Sequence, residues 1–255
     1  MTEVVETPRP VAVTARHARW VRICHWIATA SIFTLAVTGF VILMAHPRLY
    51  WGDVGNSLTP ALLELPISRN HQHGGWVARA AFFEAPGSPV SANRTYDIFN
   101  QNGWGRSLHF LAAWFAAVSG LVYLLAGLVG GHFRRYMFPH GGELAPGVVW
   151  ADVVRHLRLQ IPKATGGPGY GVLQKCVYCV VVFIALPVSV LTGLAMSPAV
   201  AAGYPFLRVL FGGFQSARTI HFVAFVALVM FVVAHVVMVV KSGFKRQMRG
   251  MTVGD

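Results

Sequence analysis

The stretch that decides the fold of this chain is HFVAFVALVMFVVAHVVMVV, residues 221–240. About 20 apolar residues at a rise of ~1.5 Å each cross the ~30 Å hydrocarbon core of a bilayer, so the stretch predicts a membrane-spanning helix. It carries His221 and His235, fourteen positions apart. Fourteen steps of ~100° place both imidazoles within about 40° of one face, ~21 Å apart along the axis. Ionisable groups inside a bilayer are costly, so these two histidines require partners elsewhere in the chain.

Three further apolar stretches have a similar length and composition. The four predicted spans are residues 23–45, 107–131, 173–196 and 221–240. With 55% hydrophobic and only 12% charged residues among 255, the composition is that of an integral membrane protein. We expect an all-α fold: one transmembrane four-helix bundle over residues 23–241, preceded by a basic segment, 1–22, and followed by a basic tail, 242–255.

The basic residues predict how this bundle is oriented. The formal charge is +12, and 14 of the 21 lysines and arginines lie in the N-terminal segment, in the second loop together with Lys175, and in the C-terminal tail together with Lys241. Cytoplasmic segments carry an excess of Lys and Arg, so both termini and the second loop are predicted to be cytoplasmic, and the first and third loops extracytoplasmic. The charge therefore reflects topology, with membrane lipid headgroups rather than nucleic acid as its partner.

Two loops carry features of their own. The first, residues 46–106, is long and rich in aromatic side chains, which either anchor at the lipid headgroups or form a docking surface for another subunit. Its HQH motif, with His71 and His73, could bind a metal ion or a partner. In the second loop, residues 147–160 have apolar residues at helical spacing with basic residues between them. This pattern predicts a short helix on the membrane surface.

The third span contains a proline and two cysteines. Pro187 lies in its middle and is predicted to kink the helix, because proline removes one backbone hydrogen bond. Cys176 and Cys179 are three positions apart and therefore share a face. A redox or metal role is conceivable, but no histidine follows them as in a c-type haem attachment signature, and buried reduced thiols are the default interpretation.

Four of the eleven histidines lie within the predicted spans, and the topology assigns a depth to each. His25 and His235 fall near the cytoplasmic surface, whereas His109 and His221 fall near the outer surface. Isolated histidines would have no reason to match in depth, but two neutral imidazoles that ligate one haem iron from opposite sides must do so. The sequence therefore predicts two b-type haems, with His25 and His235 as an inner pair of iron ligands and His109 and His221 as an outer pair.

Three arginines stand in register with these histidines. Arg22, Arg106 and Arg218 each precede one of them by three positions, on about the same helix face. A guanidinium group is well shaped to receive a haem propionate, so all three are candidate cofactor-binding residues. The alternative is that they only extend their charged ends towards the membrane surface.

These residues resemble those of the four-helix di-haem membrane cytochromes b: formate dehydrogenase gamma subunits, nickel–iron hydrogenase cytochrome b subunits and bacterial b561-like proteins. The resemblance rests on the R-x-x-H-W motif from Arg22 to Trp26 and on His109, His221 and His235. Residues 171–198 look most like the cytochrome b subunits of thiosulfate reductases. The resemblance implies the same histidine pairing, a bacterial inner-membrane location, a quinone pocket beside the inner haem, and an extracytoplasmic catalytic subunit at the outer haem.

Polar side chains near the predicted inner haem could receive the carbonyl groups of a quinone. The candidates are Arg19, Trp26, Gln174, Lys175, Tyr178, Lys241 and Ser242. Tyr and Lys are also common anchors at any membrane boundary, so an ordinary anchoring role stays open for each.

Two functions fit these observations. In the first, the chain is the electron-transfer subunit of an oxidoreductase complex: two haem b groups carry electrons between an extracytoplasmic enzyme of molybdenum or hydrogenase type and ubiquinone or menaquinone. In the second, it is a stand-alone b561-type oxidoreductase that reacts with a small molecule such as superoxide, ascorbate or ferric ion. The long aromatic outer loop favours the first, because a stand-alone enzyme would more simply expose a charged funnel. A haem-free anchor or transporter is disfavoured by the two histidine levels.

Overall fold

The computed structural model describes residues 17–56, 58–68, 102–158, 160 and 171–254. Within these ranges, four helices are long and apolar enough to cross a membrane, which confirms the expected number of spans. They are α1 (Arg19–Ala45), α2 (Asn102–Val129), a third span made of α4 (Val172–Val180) and α5 (Leu186–Met196), and α8 (Phe214–Thr252). His71 and His73 lie outside the described residues.

Shorter elements lie between the spans. They are strands β1 (Arg48–Leu49) and β2 (Leu63–Glu64), and helices α3 (Pro146–Leu157), α6 (Pro198–Gly203) and α7 (Phe206–Leu210). The two strands are antiparallel, with Arg48 opposite Glu64. Helix α3 lies where residues 147–160 predict one; its position on the membrane surface stays a prediction.

The spans pack as two helix pairs. Helix α1 packs along α2, and α5 packs along α8, whereas α1 and α8 make a smaller contact. The outward faces carry exposed apolar side chains such as Phe33, Trp114 and Val233, as expected where hydrocarbon tails are the solvent. The interface between the two helix pairs is where side chains from α1 and α2 meet those from α8.

The third span departs from regular α-helix next to its proline. A π-helical turn, Val181–Ala185, separates α4 from α5, and Pro187 is the second residue of α5. Proline has no backbone N–H and its ring crowds the preceding turn, so the wider π-helical turn accommodates it. The departure from α-helical geometry thus lies in the turn before Pro187, whereas the sequence predicts a kink at the proline itself.

The fourth span is longer than its apolar core of residues 221–240. Helix α8 runs to Thr252 and is interrupted at Gly243, whose φ of 111° is a conformation that glycine adopts readily. After this break the basic tail returns to α1: Trp26 Nε1 donates to the Met251 carbonyl at 3.0 Å and Arg22 Nη1 to the Thr252 carbonyl at 2.9 Å. The tail is therefore helical and packed against the beginning of the first span.

Candidate functional site

The four intramembrane histidines meet in two pairs across the interface between the helix pairs. His25 on α1 lies opposite His235 on α8, with ring centroids 6.3 Å apart. His109 on α2 lies opposite His221 on α8, again with ring centroids 6.3 Å apart. We keep the names inner pair for His25 and His235 and outer pair for His109 and His221.

This separation suits two ligands of one metal atom. An imidazole nitrogen binds a transition metal at ~2.0–2.1 Å, so two rings that share a metal atom have centroids roughly 6 Å apart. Two imidazoles facing each other are also the donor set that low-spin haem iron takes in its two axial positions. Each pair therefore fits axial ligation of a haem.

The outer pair is held by two threonines that the sequence analysis missed. Thr38 Oγ1 lies 2.9 Å from His109 Nδ1, and Thr192 Oγ1 lies 2.9 Å from His221 Nδ1. Each threonine comes from the helix packed against its histidine, α1 for α2 and α5 for α8. The available signal was a repeated Thr-Gly dipeptide, 38–39 in the first span and 192–193 in the third.

The glycines of these dipeptides lie against the same imidazoles. A Cβ atom added at Gly39 would be 3.4 Å from His109 Cε1, and one added at Gly193 would be 3.6 Å from His221 Cε1. Each outer imidazole therefore packs directly on the backbone of the neighbouring helix, which also brings its Nδ1 within reach of the threonine.

The inner pair has different surroundings. The His25 Nδ1 atom is buried and has no hydrogen-bond partner among the described residues. The His235 ring stacks on Phe231 with centroids 5.7 Å apart, and the Tyr178 ring lies 6.4 Å from it. Aromatic side chains thus line the inner pair, where hydroxyl groups hold the outer pair.

Of the three arginines, two bind oxygen atoms of the protein itself. Arg22 donates to the Thr252 carbonyl, and Arg218 donates to the His46 carbonyl and, at 3.5 Å, to Gln215 Oε1. Arg106 is exposed near the beginning of α2. A role for these arginines in holding propionates stays a prediction.

His46 follows α1 and connects it to the outer loop. Burial, followed by the charges of Arg218 and Arg48, lowers the pKa of His46 from 6.5 to about 4. Its Nδ1 atom lies 3.1 Å from Arg48 Nη2 and accepts that hydrogen bond. This imidazole is therefore neutral at physiological pH and acts as a hydrogen-bond acceptor.

The quinone candidates differ in which groups they bind in the structure. Gln174 Nε2 donates to the Tyr178 hydroxyl at 2.6 Å, and this hydrogen-bonded pair lies beside His235. Lys175 instead donates to both carboxylate oxygens of Glu143 at 2.8 Å, and this hydrogen bond is the main cause that lowers the pKa of Glu143.

The remaining quinone candidates are distributed around the same end of the molecule. Trp26 contacts the C-terminal tail, and Ser242 donates to the Val239 carbonyl at 3.3 Å. Arg19 and Lys241 are exposed. Two candidate rings therefore lie beside the inner pair: Tyr178, bonded to Gln174, beside His235, and Trp26, whose ring centroid is 5.5 Å from that of His25.

The cysteines of the chain are free thiols. Cys24 is buried, and Cys176 and Cys179 are partly buried. Cys179 Sγ lies 3.7 Å from the Met137 carbonyl, a weak hydrogen bond that ties α4 to the second loop. The geometry therefore matches thiols that pack as small apolar side chains.

Apolar helices that carry facing histidines between them define a class of protein, the membrane cytochromes b. The chain belongs to the prokaryotic cytochrome b561 family, whose family model matches residues 16–254. The resemblance to membrane cytochromes b is thereby confirmed, and members of this family bind b-type haem.

A relative from Azospira oryzae is named protein-methionine-sulfoxide reductase subunit YedZ1. It is 28% identical to this chain over 225 residues, which cover 88% of this chain and 90% of that protein. No solved structure is a significant match to the chain. The family match and the four apolar helices together make the protein a multi-pass membrane cytochrome of b561 type.

Proposed function

We propose that this protein is the membrane electron-transfer subunit of an oxidoreductase complex and that it holds two b-type haems. The inner pair would ligate one haem and the outer pair the other. The observation that carries the proposal is the identical 6.3 Å separation of the two pairs, both of which use α8. Haem b, when bound, supplies an iron that accepts and releases one electron at a time.

The part of the chain in this function is to hold two redox sites in line across the membrane. His221 and His235 are fourteen residues apart on α8, which corresponds to ~21 Å along a helix axis. The residues between them are apolar, so they exclude water from the interface of the two helix pairs. Helix α8 thereby sets the separation of the two sites.

A quinone would exchange electrons at the inner site. A quinone needs a flat apolar slot with a polar group at each carbonyl. The hydrogen-bonded pair of Gln174 and Tyr178, beside Phe231 and His235, supplies polar groups and aromatic walls of this kind. We propose ubiquinone or menaquinone as the exchangeable substrate and this pair as its first contact.

The partner would be an extracytoplasmic catalytic subunit, of molybdenum or hydrogenase type, at the outer site. The name of the Azospira oryzae relative describes it as a subunit of a reductase, which supports an assembly over a stand-alone enzyme. The proposed location is a bacterial inner membrane, in keeping with the prokaryotic family. Both termini would be cytoplasmic, because of the distribution of the basic residues.

The haem content of single-histidine variants tests the proposal. We expect the purified protein to contain two haems in the pyridine haemochrome assay. His235→Ala should remove the inner haem and keep the outer one, and His109→Ala should do the reverse, because iron loses one axial ligand. A matched control is His140→Ala, since the His140 side chain is 70% exposed and lies outside the spans.

Three results would contradict the proposal. They are a colourless purified protein, two low-spin haems retained in His235→Ala, or a loss of haem from His140→Ala equal to that from His235→Ala. Purification in mild detergent addresses the partner: a soluble cofactor-bearing subunit should be recovered with the protein. A lone red protein that reduces quinone with ascorbate or superoxide would favour the stand-alone enzyme.

A further inference from the structure

Each of the two threonines beside the outer pair has two carbonyl oxygens of its own helix and one imidazole nitrogen within hydrogen-bond distance of its hydroxyl. Thr38 Oγ1 lies 2.7 Å from the Thr34 carbonyl, and Thr192 Oγ1 lies 2.6 Å from the Val188 carbonyl. A carbonyl oxygen only accepts, so each hydroxyl uses its single hydrogen atom on its own helix. The hydroxyl oxygen is then left as an acceptor. The histidine must therefore donate its Nδ1–H to the threonine oxygen.

These hydrogen bonds select one tautomer of both imidazoles. With its hydrogen atom on Nδ1, a neutral imidazole has a free electron pair on Nε2, which is the atom available to iron. Thr38 and Thr192 are 1% and 0% exposed, so water cannot replace either hydroxyl. Both outer rings are therefore oriented with Nε2 as the ligand atom.

The inner pair lacks this arrangement at His25. Within the part of the chain that the structure describes, the buried His25 Nδ1 atom has no hydrogen-bond partner, although Thr29 is one turn away and donates its hydroxyl to the His25 carbonyl at 2.8 Å. The inner and outer pairs thus differ in the hydrogen-bond partner of a histidine Nδ1 atom.

We propose that Thr38 and Thr192 are positioning residues for the outer haem and that they lower its midpoint potential. A hydrogen bond from Nδ1–H to an acceptor raises the basicity of the imidazole, and a more basic ligand stabilises ferric iron relative to ferrous iron. This inference rests on the proposed two-haem function. It adds that the Thr-Gly dipeptide of each helix pair is part of the outer site.

The test measures each haem separately in the purified full-length protein. Redox titration followed by absorbance gives the two midpoint potentials, and low-temperature electron paramagnetic resonance of the ferric state reports the ligand geometry. The single-haem variants His235→Ala and His109→Ala identify which signal belongs to the outer haem. We expect Thr38→Val and Thr192→Val to shift the outer haem to a higher potential, to change its ferric signal, and to leave the inner haem unchanged.

Two kinds of control separate positioning from packing. Thr38→Ser and Thr192→Ser keep the hydroxyl and should restore the native potential. Thr34→Val removes a hydroxyl that makes the same kind of backbone bond, at 2.9 Å, without contacting an imidazole, so both haems should be unchanged.

Specific outcomes overturn the inference. It fails if the valine variants keep two haems with native signals, if the inner haem shifts as much as the outer one, or if a valine variant loses the outer haem and serine does not restore it. None of these results would affect the two-haem function. If the native protein binds fewer than two haems, the proposed function fails first, and this inference fails with it.

Discussion

At the scale of single residues, the glycines beside the outer pair are the clearest constraint. A Cβ atom at Gly39 or Gly193 would contact the imidazole of His109 or His221, at 3.4 and 3.6 Å. We expect alanine at either position to be tolerated, since this is close to van der Waals distance. Leucine should displace the ring and lower the content of the outer haem by half or more, as measured by pyridine haemochrome.

Gly120 is the control for this prediction. It lies in the middle of α2, and a Cβ atom added there would have no neighbour within 4 Å. Gly120→Leu should therefore keep both haems, and replacement of a helical glycine should stabilise α2 by up to about 1 kcal/mol. Retention of two native haems in Gly39→Leu would show that the imidazole does not need this close approach.

A second residue, His46, predicts a dependence of stability on pH. Burial and two arginines lower its pKa from 6.5 to about 4 in the folded state. Between these two pKa values the unfolded chain binds a proton at His46 and the folded protein does not. The contribution of His46 to stability is therefore present above pH 6.5 and is lost as the pH falls towards 4.

The replacement His46→Gln isolates this effect because glutamine keeps an acceptor for Arg48 but does not titrate. Thermal unfolding in detergent should show a smaller loss of Tm between pH 7 and about pH 5 in the variant than in the native protein. Equal losses in the two proteins would refute the assignment.

At the scale of elements, the start of α8 depends on the outer loop. The Gly52 carbonyl accepts from the backbone N–H groups of Gln215 and Ser216 at 2.9 and 3.1 Å, and the Asp53 carboxylate accepts from Phe214 N at 3.0 Å. These bonds satisfy donors that every helix leaves open at its first turn. The outer loop therefore holds in place the helix end that precedes His221.

Gly213 makes this contact possible, so its replacement is a sharp test. Its φ is +116°, and a Cβ atom there would lie 2.5 Å from the Gly52 backbone, which cannot move aside as a side chain can. We expect Gly213→Ala to lower the free energy of unfolding by at least about 2 kcal/mol, from backbone strain together with the clash. Thermal unfolding measures this loss of stability. The control is Gly203→Ala, because a Cβ atom at Gly203 would have nothing within 4 Å. A loss in Gly213→Ala no larger than in this control would be evidence against the prediction.

The ends of the spans were harder to predict from the sequence than their middles. The apolar core of each span is a property of consecutive residues, so hydropathy alone indicates it. The extension of α8 to Thr252 lies in a basic segment, and its contacts with Trp26 and Arg22 join residues more than 220 positions apart. No local pattern encodes such a contact.

At the scale of the whole molecule, the packing of the tail bears on topology. Arg22, at the beginning of α1, is bonded to Thr252, at the end of α8, so the beginning of the first span and the end of the last helix lie at the same end of the bundle. The distribution of Lys and Arg predicts that this end is cytoplasmic. Alkaline phosphatase fused after residue 255 should be inactive, and green fluorescent protein at the same point should be fluorescent. An active alkaline phosphatase and a non-fluorescent green fluorescent protein would show that this end is extracytoplasmic.

The number of spans and the four intramembrane histidines follow from the sequence by itself, because a bilayer imposes a length on every apolar helix and a cost on every ionisable group within it. Depth alone also predicted which histidines would be paired. Only the tertiary structure decided which group lies at the Nδ1 atom of each imidazole: Thr38 and Thr192 at the outer pair and, among the described residues, no partner at His25. The physical reason is that depth is set along one helix axis, whereas a hydrogen bond between neighbouring helices depends on their rotation and separation, which are settled only when the helices pack.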